Sequence, residues 1–566
     1  MKRMALTVSV ALVFAGVIWG AHQAVAPSTP LSKYVPSGPL LYLETRDFSS
    51  LLDDWNSSPQ KRQWLQSDSY QVFSRSRLFL RFSGASDQFA AAAGLPPDMN
   101  FLSQVAGGRS ALALYDIGNL QFLYITYLPS AKSMETTLYH SRAKFEPRTA
   151  GGVDFYLRRD PQSQREVAFA VSGDYLLLAT REDLMAGALQ LMSGKQDRTV
   201  ENEQWWAQST SAAVEPGDLR LVLDLEKLVP NGYFRTYWVQ QNITDLSHYS
   251  AAVCDLFRSS KEYREERVLI RKKAPDQPAS ADGFTAAADL ARLAPGDAGV
   301  YEAAANPTGD SAFVLLETKL MAPHLGPATT SQTAPQVQLT SGEQGGASDF
   351  ETRIDQAPAE HAPTQNISAL KDLLDKTPLL ASLQFQSTSR DPAGVFIRMR
   401  SAVVLAAASD WNESTVQSAL ADFVRVGLTA GHLGVAWQPR NGYRQLDGLW
   451  PLLAATRGKD LLLSDDPPLM QSLLANFNRK STSEPAEFIA RVNHQRERSN
   501  FARFTGLIDR PSMVSDNPQN VERQPQFFSG NMASLSNTLA AVSSEKIEVR
   551  EDGGNMRQSV IYEWSQ

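Results

Sequence analysis

Histidines are the first residues to test for chemistry, because an imidazole both moves protons near neutrality and binds transition metals. The chain has seven, His22, His140, His248, His324, His361, His432 and His494. No two stand four apart, as paired ligands on one helical turn would, and no His-Glu-x-x-His run occurs. Nucleophile patterns are equally sparse. Ser58–Lys61 and Ser543–Lys546 share Ser-x-x-Lys spacing, which a serine-rich chain yields by accident, and there is no Gly-x-Ser-x-Gly elbow. Gly107-Gly108 before Arg109 is too short to cradle a phosphate and reads as a turn entering a strand at Ser110. Asp53-Asp54 and Asp465-Asp466 are adjacent carboxylates of the kind whose pKa values can split around a reacting atom. Both border predicted helices, where capping and the helix dipole explain them more simply. Trp205-Trp206 could be a platform for a sugar or apolar ligand, but a core anchor is the simpler expectation. No residue is therefore singled out as catalytic, cofactor-binding or metal-binding, and no cofactor is implied. The single cysteine, Cys254, excludes an internal disulfide, a CxxC redox pair and a thiolate zinc cluster.

The elements that would position any site repeat along the chain. Pro36 to Tyr42 and Pro295 to Tyr301 are proline-started strands 259 residues apart. Gly173 followed by Leu176-Leu177-Leu178, Leu184-Met185 and Leu189 matches Gly458 followed by Leu461-Leu462-Leu463, Leu469-Met470 and Leu474, at a spacing of 285. In both, a glycine turn opens a continuously apolar strand, and a helix follows. Thr180 with Asp183 resembles a capping box for the first of these helices, and Pro467-Pro468 suit the first turn of the second. Asn242, Leu246-Ser247 and Ala251-Ala252-Val253 match Asn531, Leu535-Ser536 and Ala540-Ala541-Val542 at 289. A strand pair closes each half. Asp116-Ile117-Gly118-Asn119 reads as a hairpin turn between strands 110–115 and 120–127. A helix around Asn412 to Val424 corresponds to one near Lys132 to Ser141. The fold class expected is α+β, two tandem duplicated modules of mainly antiparallel sheet with packed helices, at 30–275 and 290–566. The growing spacing requires extra residues in the second module. The stretch 324–366, rich in Pro, Gly, Ser, Thr, Gln and Ala, has the composition of a disordered insertion.

Ahead of both lies 1–26, in which Lys2 and Arg3 precede an apolar run from Met4 to Ala21. Charged-then-apolar order is that of an export signal or an uncleaved N-terminal anchor helix, with the bulk of the chain delivered outside the cytoplasm. Ala24-Val25-Ala26 has the form of a cleavage site, but Pro27 directly after it should hinder the cut. The expectation is a signal anchor forming one transmembrane helix in the inner membrane; the alternative is a secreted or periplasmic protein after cleavage. A lipoprotein anchor would need a cysteine at the cut, and Cys254 is far away.

A net charge of −7 over 566 residues with no basic block argues against nucleic acid as a partner. The expected partners are the membrane, through the N-terminal segment, and another envelope protein. Pro36, Tyr42, Gly173, Leu176 to Leu178, Leu184 and Leu189 give the layout a resemblance to a poorly characterised group of exported bacterial proteins of unknown function. That resemblance implies the same strand, helix and closing-hairpin order and supplies no catalytic residues. The function expected is a noncatalytic extracytoplasmic envelope protein with a binding or scaffolding role. The alternatives are an extracytoplasmic hydrolase with a dispersed site at the module junction, and an envelope assembly factor or chaperone.

Overall fold

The computed structural model describes residues 29–564 apart from 214, 238–244, 274–279, 322–367, 391–396, 430–434, 449, 482 and 499–541. The chain is α+β, and every strand ladder among the described residues is antiparallel. It divides into one unit of Met1–Gln277 with Phe501–Gln566 and a second of Pro278–Asn500.

In the first unit the strands are β1 (Leu41–Thr45), β2 (Ser110–Asp116), β3 (Gln121–Tyr127), β4 (Glu146–Ala150), β5 (Val153–Arg159), β6 (Glu166–Ser172), β7 (Tyr175–Ala179), β8 (Leu219–Asp224), β9 (Tyr249–Arg258) and β10 (Glu262–Arg271). Their order across the sheet is β4-β5-β6-β7-β3-β2-β1-β8-β9-β10. Between β1 and β2 run α1 (Phe48–Ser57), α2 (Pro59–Leu65), α3 (Asp68–Phe73), α4 (Arg77–Ala93) and α5 (Met99–Val105). Their starts follow from the sequence: Asp47, Ser58, Ser76 and Asp98 cap α1, α2, α4 and α5, each accepting a first-turn backbone N–H, which satisfies a donor the helix itself cannot. Gly94 ends α4 at φ 69°, a left-handed cap that glycine adopts without strain. Further on lie α6 (Ser130–Glu135), α7 (Thr137–His140), α8 (Glu182–Met192), α9 (Gln204–Ala212), α10 (Leu225–Leu228) and α11 (Gly232–Tyr237).

The second unit holds α12 (Ala281–Ala291), β11 (Val300–Ala305), α13 (Gly309–Leu316), α14 (Ser368–Lys376), β12 (Leu379–Arg390), β13 (Ile397–Ala407), α15 (Glu413–Thr429), β14 (Gln438–Pro439), β15 (Arg444–Leu446), β16 (Leu452–Arg457), β17 (Asp460–Ser464), α16 (Pro467–Asn476) and β18 (Phe488–Val492). Its ladders run β14-β15-β16-β17 and β17-β13-β12-β11-β18. Taken in chain order, β11 to β18 occupy the same places in this sheet as β1 to β8 in the other.

The triple-leucine strands explain why neither sheet alternates apolar with polar. Leu177 lies opposite Ile125 and Ala170 and joins a core with Met185, Ala188 and Leu189 of α8, while Leu176 and Leu178 face a separate core with Ala92 and Phe101. Leu462 lies opposite Val404 and Ala455 and packs with Leu469, Met470 and Leu473 of α16; Leu461 and Leu463 pack with Leu420 and Phe423 of α15. Apolar packing on both faces of a strand requires a continuous apolar run, because successive side chains point to opposite sides. The long sheets thus obtain stability from burial, at roughly 25 cal/mol per Å² of apolar surface.

The last two strands, β19 (Val542–Asp552) and β20 (Asn555–Trp564), form the hairpin expected to close the second module. They instead belong to the first unit. β20 pairs with β10 from Glu262↔Glu563 to Leu269↔Met556, so the first sheet continues β9-β10-β20-β19. An open β10 edge carries a row of unsatisfied N–H and C=O groups, and a hairpin of matching length satisfies them. The module expected at 290–566 therefore differs from the structure, in which the hairpin 542–564 joins the first unit's sheet.

A second correction concerns the membrane. Among the described residues no helix is long and apolar enough to cross a bilayer, so the expectation of a transmembrane helix and signal anchor is not carried by the structure. The segment 1–26 and the insertion 324–366 both lie outside the described residues.

Candidate functional site

The joined hairpins bring together buried charged and titratable side chains, Glu265, Arg267 and Glu545 among them. Residues opposite one another in antiparallel strands point to the same face. One row therefore aligns Arg258, Tyr263, Tyr562 and Glu545, the next Leu256, Glu265, Val560 and Ile547, and the next Cys254, Arg267, Gln558 and Val549. On the opposite face Val253, Val268 and Ile270 pack against Trp205 and Trp206 of α9. The polar strip thus occupies one side of the sheet, while the other side carries this apolar core at one end and the more exposed Arg264 and Glu266 towards the other.

At its centre Arg267 Nε donates to Glu265 Oε1 at 2.6 Å and Nη2 donates to Oε2 at 2.7 Å. The two side chains are 4% and 9% exposed. Arg267 Nη1 also donates to Gln558 Oε1 at 3.3 Å, tying β10 to β20. A fork-to-fork pair of this kind uses both carboxylate oxygens and holds the planar guanidinium in one orientation. Burial pushes the Cys254 thiol up to about 12, and the Glu265 charge adds to this while Arg267 opposes it. Burial likewise raises the phenols of Tyr263 and Tyr562. Tyr263 meets Trp564 edge to face with ring centres 4.9 Å apart. A thiol that keeps its proton is a poor nucleophile and a poor metal ligand. A phenol raised in this way is equally poor as a base.

The strip reaches α1 through Arg258, whose Nη1 lies 3.6 Å from Asp54 Oδ2. Burial pushes the Asp54 carboxyl up, and Arg258 opposes the shift. Asp53 and Asp54 are interior to α1, so the capping role expected for that pair falls to Asp47, whose carboxylate accepts from Ser50 N at 3.0 Å. The other pair does behave as a helix terminus: Asp466 Oδ1 accepts from Leu469 N at 2.9 Å, and Asp465 Oδ1 accepts from Ser401 N at 2.7 Å. The capping box expected at Thr180 and Asp183 is absent. Thr180 Oγ1 instead accepts from Phe122 N at 2.8 Å, Arg181 is the N-cap residue, and Arg181 grips Asp183.

Other sequence candidates are structural. Ser58 caps α2, and Ser543 Oγ donates to Glu563 O at 3.0 Å. Gly107 and Gly108 form the turn before β2, receiving α1 through Ser49 N and Phe48 N. His248 is exposed and its backbone carbonyl accepts from Lys272 N. Trp206 packs edge to face on Tyr42 at 4.8 Å and on Trp205 at 6.0 Å. Tyr42 itself donates to Glu44 Oε2 at 2.6 Å, and Glu44 also pairs with Arg109. A polar cleft of about 520 Å³ lies among Gln121, Gln164, Arg165, Glu166, Arg181 and Asp183. Its charges pair with neighbours, since Glu166 binds Arg159 and the Glu182 N–H while Arg165 donates to the Asn119 carbonyl. Among the described residues no three His, Cys, Asp or Glu side chains are grouped to hold a metal ion. Among the described residues, His140, His248 and His494 are not grouped with the paired carboxylates into such a site; His22, His324, His361 and His432 lie outside the described residues. What sequence reasoning missed is the strip, whose signal was the unusual charge density of Glu262 to Arg271 within a strand.

No family model matches the chain, and no curated protein matches it. Among solved structures it is similar to TP0453 in crystal form I, with a TM-score of 0.24 and 13% identity over 44% of this chain and 82% of that one. Crystal form III of TP0453 gives a TM-score of 0.22 and 11% identity over 44% and 83%.

Proposed function

We propose that this chain is a noncatalytic extracytoplasmic protein of the cell envelope whose two related modules form a scaffold or binding surface. The observation that carries this reading is the polar strip, where a buried ion pair and its bond to Gln558 hold strands to one another. Glu265 and Arg267 occupy each other, and Cys254 retains its proton. Duplication is supported by the matching places of β1 to β8 and β11 to β18, by Leu177 and Leu462 at the same register between neighbouring strands, and by the helices α8 and α16 that follow them. Joining β10 to β20 gives one closing hairpin to the other. The export reading rests on Lys2, Arg3 and the apolar run behind them, and the resemblance to exported bacterial proteins of unknown function agrees with it.

Two measurements test the proposal. Added protease should digest the protein in spheroplasts, where only extracytoplasmic chains are reached; protection until lysis would overturn the location. The purified full chain should be inert against panels of ester, peptide, glycoside and phosphate substrates. A hydrolytic activity abolished by C254A or E545Q, with folding retained, would replace the scaffold with an enzyme.

A further inference from the structure

In the stretch 59–82, covering α2, α3 and the first part of α4, the described side chains stand outside the five apolar cores of the described residues. It has a small aromatic pack of its own: Trp64 lies 6.0 Å from Tyr70, and Phe79 lies 5.6 Å from Phe73 and 6.2 Å from Tyr70. Around that pack Leu65, Leu80 and Phe82 are 44%, 60% and 53% exposed. The same stretch contains Lys61, Arg62, Arg75, Arg77 and Arg81 against the single acid Asp68, a net charge of +4 in a chain of −7. Arg62 and Arg75 are exposed.

We infer that this helical tip docks on the surface of an anionic phospholipid bilayer. Two observations choose lipid over a protein partner. First, the charge is opposite to that of an anionic leaflet, which attracts basic segments lying within a Debye length of it. Second, Leu80 and Phe82 are two residues apart on a helix, about 200° round its axis, so they cannot form the single i, i+3, i+4 stripe that a protein groove accepts. A fluid interface accepts apolar side chains splayed round a helix end, with arginines at headgroup level above them. The contact is peripheral and requires no spanning helix. It holds independently of the duplication and export readings, because it rests only on 59–82.

The full chain, floated with vesicles of phosphatidylcholine alone or of equal parts phosphatidylglycerol and phosphatidylcholine, tests the inference. Binding should require phosphatidylglycerol and weaken in high salt. R62E/R75E should lower partitioning at least thirtyfold, at about fivefold for each cation removed before the two added anions are counted, and L80S/F82S should lower it at least tenfold with an unchanged circular dichroism spectrum. Because all four positions are exposed, folding should survive; if one pair fails to fold, the other decides. Equal binding to neutral vesicles, or flotation that neither pair weakens, overturns the inference, as would be the case if 4–21 alone held the chain to lipid. Self-association without vesicles that L80S/F82S abolishes also overturns it, by assigning the patch to a second copy.

Discussion

The two units use one strand order to different ends. In the first, the sheet passes beyond β8 into β9 and β10 and takes up β20 and β19; in the second, β18 is joined to β11 among the described ladders. The first therefore contains a four-stranded polar strip with a buried ion pair, whereas the second relies on leucine-rich strands with helices on both faces. The difference teaches that a sheet covered by helices on both faces is built on apolar runs with single polar groups such as Thr126 and Ser464 among them, and that a fork-to-fork charge pair is buried where two hairpins meet in one register. A one-residue slip of β20 against β10 would turn Gln558 away from Arg267 and aim it at the apolar side.

The largest effect should come from breaking that recognition. Arg267→Met leaves Glu265 buried without its partner and should cost about 3–5 kcal/mol. Arg264→Met, on the exposed side of the same strand, removes a pair to Glu266 at 3.3 Å and should cost under about 1 kcal/mol. Urea unfolding of the three proteins checks this, and equal midpoints for the two variants would show that the strip does not join the hairpins. The central sheets should be nearly as sensitive. Leu177→Ala and Leu462→Ala each open a cavity in a fully buried strand and should cost about 2–5 kcal/mol. Hydrogen exchange resolved along the chain would show whether each loss is confined to its own unit. Agreement of the two costs to within about 1 kcal/mol sharpens the equivalence of the modules; a change at one site only would break it.

How much of this was legible in the sequence depends on whether a feature is local. The continuous leucines of β7 and β17, the turn at Asp116 to Asn119 and the prolines opening α16 were readable, because each is specified by neighbours a few residues away. Thr180 was misread because its hydroxyl is taken by Phe122 N, which is 58 positions away in the chain. Asp54 was misread because its environment is set by Arg258. The polar strip was out of reach because it exists only when β20 pairs with β10, a contact between residues nearly 300 apart, such as Arg267 and Gln558. For the same reason the expected second module kept its closing hairpin on paper and lost it in the structure.

A smaller effect separates the helices that follow the triple-leucine strands. Asp466→Ala removes the side-chain cap of α16 and should cost about 1 kcal/mol. Arg181→Ala at the corresponding start of α8, where no side chain caps the helix, removes an exposed pair with Asp183 and a hydrogen bond to Gln121 Oε1 at 3.1 Å and should change stability by under about 0.5 kcal/mol. Thermal unfolding of both variants checks the ranking, and an equal loss at Arg181 would mean that the Arg181–Asp183 fork stabilises α8 as a cap does.

The smallest effect near neutrality belongs to Cys254, and it becomes visible only in alkali. Its folded-state pKa is raised from 9.0 to about 12, chiefly by burial. Folding therefore favours the protonated thiol. That preference is fully present below the unfolded value, and it is lost progressively as pH rises from 9.0 towards about 12 because the unfolded chain releases the proton first. Wild-type stability should fall more steeply with pH across this window than that of C254A, which has no thiol to ionise, and the gap between their urea midpoints should change there while staying constant at lower pH. Parallel curves would mean that the thiol ionises as readily in the sheet as in the unfolded chain, which would make the first unit's strip as open to water as its exposed face and remove the contrast with the dry sheet of the second.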